Sequence, residues 1–339
     1  MKKRRPFIVR NECEIAMVLR ARKQIRNSGV HIPDICFGTS ALGNMPDTYS
    51  YEVGEARAVE TVKAMLTSDS PFIDTGRNYG MGRSEERIGL ALKELGGLPT
   101  GAVISTKLDR NMESGLFDAS EARRSVEESF TALGVSRVDI LHLHDPEHAE
   151  SLDPIVRKGG ALDELFKMRE EGLCKVVGLA AGNVDVMLPI LKDRDFDILI
   201  THNRFTLVNI NAEEMIAYAA KNDITVLNAA PYCGGALAKG TDSFKRYVYQ
   251  EASEDMLAPI KAVESVCQKY SIPPGAAALQ FSLREKRIAS TICGVSKPER
   301  MVETLSWADY KIPEDVWAEL NSLPRTQADP EATRVYKPG

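Results

Sequence analysis

No two cysteines in this chain stand in a C-x-x-C pair, and the six present (Cys13, Cys36, Cys174, Cys233, Cys267 and Cys293) are scattered. Several sit in apolar runs, which fits buried free thiols in a reducing cytosol. No apolar run approaches the roughly 18 residues that a membrane span requires. There is no basic excess either. The net charge is -5 and the pI about 5.7, whereas a nucleic-acid-binding domain would carry a basic face. The first residues, MKKRRPFIVRNECEIAMVLRARK, are basic but lack a continuous apolar stretch, and Glu12 and Glu14 speak against a transit peptide. Low-complexity segments, short-period repeats and interdomain linkers are all missing. So is a G-x-G-x-x-G turn, since Gly80-Met-Gly82 runs on into Arg-Ser-Glu.

What is present is a regular alternation. Short apolar runs rich in β-branched residues occur at 35–38, 72–74, 103–106, 138–143, 176–180, 198–200, 225–229 and 290–292. Their brevity and composition predict buried parallel strands. Amphipathic helices are predicted between them. Over 119–133, Ala122, Val126, Phe130 and Leu133 share one face; Asp118 and Glu121 open the segment with capping spacing and Gly134 closes it. The segments 84–95 and 255–270 follow the same pattern, and Pro273-Pro274 opens another helix through Leu283. Eight such strand–helix units in 339 residues predict one closed (β/α)8 TIM barrel, a single domain over 23–324. An open doubly wound sheet is the runner-up. Residues 1–22 are expected to be an extension outside the barrel, with Met17 an alternative start, and 325–339 a polar, irregular tail.

In a (β/α)8 barrel the active site lies at the strand C-termini. Asp74 closes the second strand, and Tyr79 follows in its glycine-bearing loop. Lys107 closes the third strand and His144 the fourth. Singly, each has an ordinary reading as a turn former, a solvated cation or a structural histidine. Together, on adjacent strands, they form a set with one chemistry. A free tyrosine, with a pKa of about 10, is a poor base at neutral pH. A nearby ammonium would lower that pKa, a carboxylate would hold the lysine, and an imidazole would orient an oxygen. Such a group suits hydride transfer between a carbinol and a nicotinamide ring, in which a proton moves with the hydride.

The segments Asp74-Thr75…Tyr79-Gly80…Gly82…Ser84-Glu85, Thr106-Lys107 and Val138-Asp139…His144-Asp-Pro146 resemble the aldo-keto reductase superfamily, in order and over nearly the whole chain. The resemblance implies a catalytic tetrad of Asp74, Tyr79, Lys107 and His144. It implies a nucleotide site that includes Gly38, Thr39, Asp74, His202, Ala229, Pro231 and Gly235. Asn183 substitutes there for a Ser-Asn pair that Gly178-Leu-Ala180-Ala181 lacks. Val295 and Arg300 fall at the adenosine end. Gly294-Val295 replaces the Lys-Ser step of NADPH-preferring members, and a 2'-phosphate needs cationic donors, so the expectation is NAD or NADP, leaning to NAD. The branch resembled is that of the aldose dehydrogenases (D-threo-aldose, L-fucose, L-galactose) and pyridoxal 4-dehydrogenase. The implied enzyme is cytoplasmic, acts on a small molecule, and needs neither metal, membrane nor nucleic acid. The chain leaves its oligomeric state open.

Three other readings compete. One is NADPH-dependent reduction of aldehydes and ketones. A second starts from His142-Leu-His144, whose period of two puts both imidazoles on one side, where they would serve a metal-dependent hydrolase together with Asp145, His148 and His202. A third is a non-catalytic, nucleotide-binding regulatory subunit. Tyr49, Tyr51, Phe117, Tyr232 and Trp307 are candidate pocket walls.

Overall fold

The structure, a computed structural model, describes residues 20–334. Most of the expected extension and the last five residues therefore lie outside the described residues. Eight strands form the barrel: β1 (Ile35–Gly38), β2 (Phe72–Asp74), β3 (Val103–Leu108), β4 (Ile140–His144), β5 (Val176–Ala181), β6 (Ile198–His202), β7 (Thr225–Ala229) and β8 (Ile288–Gly294). All neighbours are parallel and in chain order, and β8 pairs with both β7 and β1 to close the ring. The eight predicted strands are all present. Five differ at their ends: β3 runs on through Leu108, β4 starts at Ile140 and takes in His144, β5 ends at Ala181, β6 at His202, and β8 spans Ile288–Gly294.

Helices cover the barrel: α1 (Glu55–Leu66), α2 (Arg83–Leu95), α3 (Ala119–Leu133), α4 (Ala161–Glu170), α5 (Val184–Asp193), α6 (Glu213–Lys221), α7 (Glu254–Lys269), α8 (Pro274–Leu283), α9 (Pro298–Ala308) and α10 (Glu314–Ser322). Local chemistry sets their limits. The Asp118 carboxylate accepts a hydrogen bond from the Glu121 N–H at 3.0 Å and caps α3. Gly134, at φ 68°, ends it in the left-handed conformation. In α8, Gly275, Ala276, Ala277, Ala278 and Leu279 are all buried, because this helix lies between β8 and the helices α7 and α9. A helix covered on both sides needs no polar face.

Inside the barrel the period of two is visible. Cys36, Phe72, Val103, Ile140, Val176 and Ile198 form one apolar layer. Below it an antiparallel hairpin, Arg22–Gln24 with His31–Pro33, inserts Ile25, Val30 and Ile32 into the same cluster and plugs the N-terminal end. Arg20 anchors that approach, reaching Asp34 at 2.7 Å and Asp309 at 3.2 Å. Positions of the same parity, further along the strands, reach the opposite rim: Gly38, Asp74, Lys107, His144, His202 and Ala229 all line one cavity there. Cys36, Cys174, Cys233, Cys267 and Cys293 are buried free thiols. Among the described residues no helix is long and apolar enough to cross a membrane.

Candidate active site at the strand C-termini

A cavity of about 590 Å³ opens at the C-terminal rim and holds Asp74, Tyr79, Lys107 and His144 together. Lys107 is buried and donates to Asp74 Oδ2 at 2.6 Å and to the Thr75 carbonyl. The other oxygen of Asp74 accepts from Ser105 Oγ at 2.9 Å. The ion pair is thus hydrogen-bonded on both sides, the condition under which a buried pair is tolerated. The Lys107 Nζ stands 4.7 Å from the centroid of the Tyr79 ring, and His144 meets that ring edge-on at 5.8 Å.

The loop that carries Tyr79 is held by close backbone contact. Gly80 has φ 64°, and a Cβ there would fall 2.0 Å from the Gly43 carbonyl oxygen. Glycine is required at this crossing of two loops.

His144 is fixed by a residue that the sequence did not single out. Asp109, 1% exposed, lies 2.7 Å from His144 Nδ1 through Oδ1. Its Oδ2 accepts from the Asn78 N–H at 2.8 Å, one residue before Tyr79. One carboxylate therefore ties the imidazole to the tyrosine loop. Burial alone would raise the Asp109 pKa, but the charge and hydrogen bond of His144, the Asn78 N–H and Lys107 outweigh it and hold the carboxyl below its usual range. Burial alone would likewise lower His144, yet Asp109 and Asp145 more than reverse this and raise it. The available signal was the alternation Lys107-Leu-Asp109, which puts the acid on the same side of the strand as the lysine.

Tyr79 departs from expectation. Its pKa is raised well above 10, first by burial and then by the charges of Asp74 and Asp145, with Tyr49 and Asp109 adding to them. The Lys107 ammonium is matched by Asp74 and faces the ring, so it does not prevail over the three acids. Tyr79 is a neutral phenol in this geometry.

The other predicted residues divide. Gly38, His202, Ala229, Gly235 and Arg300 line the cavity. Thr39 is fully buried, and its hydroxyl donates to the Asp74 carbonyl at 3.0 Å. The Asn183 side chain caps α5, accepting from the Asp185 and Val186 N–H groups, while Glu147 accepts its backbone N–H at 2.9 Å. Pro231 is buried outside the lining. Val295 is fully buried in the apolar core. Of the predicted aromatic walls, Tyr49, Tyr51 and Tyr232 line the cavity, whereas Phe117 and Trp307 are core residues.

The tail also reaches the site. Thr326 bridges to the segment after β6, donating to the Val208 carbonyl and accepting from the Ile210 N–H. Asp329 and Glu331 then pair with Arg204 at 2.5 and 2.7 Å, and Glu331 lies 3.3 Å from His202. Burial alone would raise Glu331; His202, Arg204 and Arg334 overcome it and bring the carboxyl down to about 2. Arg334 itself lines the cavity.

A closed parallel barrel with this rim defines the class. The family model described as Aldo/keto reductase family matches residues 34–325, and the chain belongs to that family. It is an NAD(P)-dependent oxidoreductase. The chain is 29% identical over 320 residues to a D-threo-aldose 1-dehydrogenase of Pseudomonas sp, covering 86% of this chain and 94% of the relative. It is 26% identical over 337 residues to a pyridoxal 4-dehydrogenase of Microbacterium luteolum, covering 89% and 96%. Its fold matches the holo form of an aldo-keto reductase from Bacillus halodurans with a TM-score of 0.73 at 17% identity, covering 94% of this chain and all of that one.

The residues present fit the nicotinamide dinucleotide that the family uses. Besides the tetrad, Arg57, Lys239, Lys297 and Arg300 join the lining. Burial, and then the charges of Arg300 and Arg246, lower the Lys239 pKa. Arg57 and Arg300 are paired with glutamates, so Lys239 and Lys297 supply the positive charge there that is suited to phosphates. A Cβ added to Gly294 would meet nothing, so this edge is open.

Proposed function

We propose that this chain oxidises the ring hydroxyl of a cyclic hemiacetal of the aldose or pyridoxal type to a lactone, with NAD as its preferred acceptor. The observation that carries this reading is a single cavity lined both by Asp74, Tyr79, Lys107 and His144 and by the cations Arg57, Lys239, Lys297 and Arg300. The names of the two relatives support the substrate class. For the nucleotide, Gly294 offers no side chain to a 2'-phosphate. The nearby arginines are already engaged: Arg300 with Glu303 at 2.6 Å and Arg57 with Glu60 and Glu299.

The bound nicotinamide supplies the hydride acceptor. The protein supplies the proton path. Tyr79 takes the hydroxyl proton once its own phenol has ionised, and His144, held by Asp109, orients the reacting oxygen. Asp74 and Ser105 hold Lys107 over the tyrosine ring. The reverse reaction uses the same groups, and one observation favours it as a second reading: Tyr79 is a neutral phenol here, the form that protonates a carbonyl oxygen.

The His142-Leu-His144 metal reading does not assemble. His144, Asp145 and His202 line the cavity while His142 and His148 do not, and among the described residues no group of three or more side chains is placed to hold a metal ion.

The test is a fluorescence titration with NADH and with NADPH, followed by oxidation assays on aldoses and pyridoxal with product analysis. Tighter NADH binding and a lactone product are expected. Tighter NADPH binding with turnover only of aldehydes would overturn the proposal in favour of carbonyl reduction.

A further inference from the structure

Asp145 follows His144 at the end of β4. Its N–H donates to the Ala180 carbonyl at 2.9 Å, so its backbone position is fixed by the barrel. Its conformation is unusual, with φ 43° and ψ 53°. A side chain in the left-handed region is uncommon, and the Pro146 that follows disfavours helical conformations further. This turn places the carboxyl in the lining of the cavity, where the residue is 8% exposed. One oxygen, Oδ2, lies 3.5 Å from His144 Nε2. The other, Oδ1, is buried and has no hydrogen-bond partner among the described residues. Buried carboxylate oxygens are normally satisfied, and one that is not calls for a donor from elsewhere.

The place of that donor is set by the neighbours. The His144 and Tyr79 rings stand at nearly a right angle with centroids 5.8 Å apart, and in the proposed reaction these two side chains address the reacting oxygen. A group that reaches Asp145 beside His144 is therefore one position removed from the reacting carbon. The donor that suits a carboxylate there is a hydroxyl.

We propose that Asp145 is a specificity residue that accepts a hydrogen bond from a substrate hydroxyl on the carbon next to the one oxidised. It would select polyhydroxylated substrates over simple aldehydes and deoxy analogues. A substrate without that hydroxyl leaves the buried oxygen unpaired in the complex, and a site built to bond a hydroxyl rejects such an analogue strongly. This inference rests on the proposed oxidation of aldose-type substrates and names the substrate feature that the site reads.

The experiment compares kcat/KM for an aldose and its 2-deoxy counterpart with NAD, in the natural chain and in D145G and D145N. Glycine and asparagine both tolerate the left-handed backbone, and nucleotide titration checks that the variants fold. The natural chain is expected to prefer the hydroxylated sugar by roughly 10- to 100-fold. In D145G that ratio should fall close to one, with the loss mainly in KM; D145N, which keeps an acceptor oxygen, should fall between. A ratio near one in the natural chain, or an unchanged ratio in D145G, overturns the inference. The same comparison is run in reverse with glyceraldehyde and propanal. If no sugar is oxidised, the proposed function fails, while the glyceraldehyde to propanal ratio still decides the role of Asp145. Absence of turnover on both pairs counts against both.

Discussion

His142 and His144 stand two residues apart on β4 and share its inward face, yet they have little else in common. His142 is fully buried, and among the described residues neither ring nitrogen has a hydrogen-bond partner. Burial, then the charges of Lys107 and His144, push its pKa well below the usual imidazole range. Its ring packs over Gly178, where a Cβ would fall 2.2 Å from Nδ1. His144, one layer higher, lines the cavity between two carboxylates, and its pKa is raised. One residue type on one face becomes neutral filling at one depth and, at the next, an oriented group whose charged form the neighbouring carboxylates favour. Depth and partners assign the role; parity alone does not.

The contrast between the layers is open to test. Y79F removes the proton-transfer group at the rim and should cut turnover about 10²- to 10⁴-fold, leaving nucleotide binding within about twofold by fluorescence titration. Retained turnover would mean that the rim is not the chemical layer. The pH profile should follow the same residue. With the Tyr79 phenol well above 10, oxidation that needs the phenolate should rise about tenfold per pH unit between about 7 and 9, while reduction should show no such rise. Equal slopes in the two directions would remove Tyr79 from the proton path.

D109N probes what makes His144 different from His142. It should lower kcat/KM by roughly 10- to 100-fold and move the His144 titration, followed by NMR, to lower pH. An unmoved titration would show that Asp109 does not set the charge of His144.

D145N addresses stability. An unfolded aspartate titrates near 3.9, and here burial pushes the carboxyl up to about 7; His144 opposes this, and Glu147, Asp109 and Glu331 add to it. Between those values the folded state binds the extra proton, so this group's contribution to stability falls as pH rises from about 4 to about 7. D145N should therefore match the natural chain at pH near 4 and exceed it by about 1–4 kcal/mol at pH near 8 by denaturant unfolding. A smaller gain at high pH than at low pH would contradict that sign. The smallest effect belongs to the lower layer: H142L should change Tm by only about 1–3 °C, upward if anything, since it removes unpartnered polar atoms from a core. A large loss would reveal a partner for His142.

How much of this was legible in the sequence can be traced residue by residue. Asp74, Lys107 and His144 were readable because a strand's period of two and its C-terminal end both leave marks in the chain. Tyr79 was readable from the glycines around it. Asp109 carried a weaker mark, since a strand that extends two residues beyond its apolar run looks like the start of a loop. Asn183 and Val295 were placed at the nucleotide by offset, but one caps a helix and the other packs in the core. Loops obey no period, so an offset of one or two residues there changes which way a side chain faces. Tyr249 and Arg334, which reach the cavity from a loop and the tail, had no local signal at all.

The sequence by itself determined the eight strands, the helices that wrap them, and the strand ends at which chemistry collects, because burial and periodicity act over a few residues at a time. Only the tertiary structure decided that Asp109 would hold His144, that three acids would keep Tyr79 a neutral phenol, that Asp145 would face the cavity with an oxygen unpaired, and that the tail would close on Arg204. Those outcomes depend on charges and donors brought together from distant parts of the chain, and their energies depend on depth from water, which only the closed barrel sets.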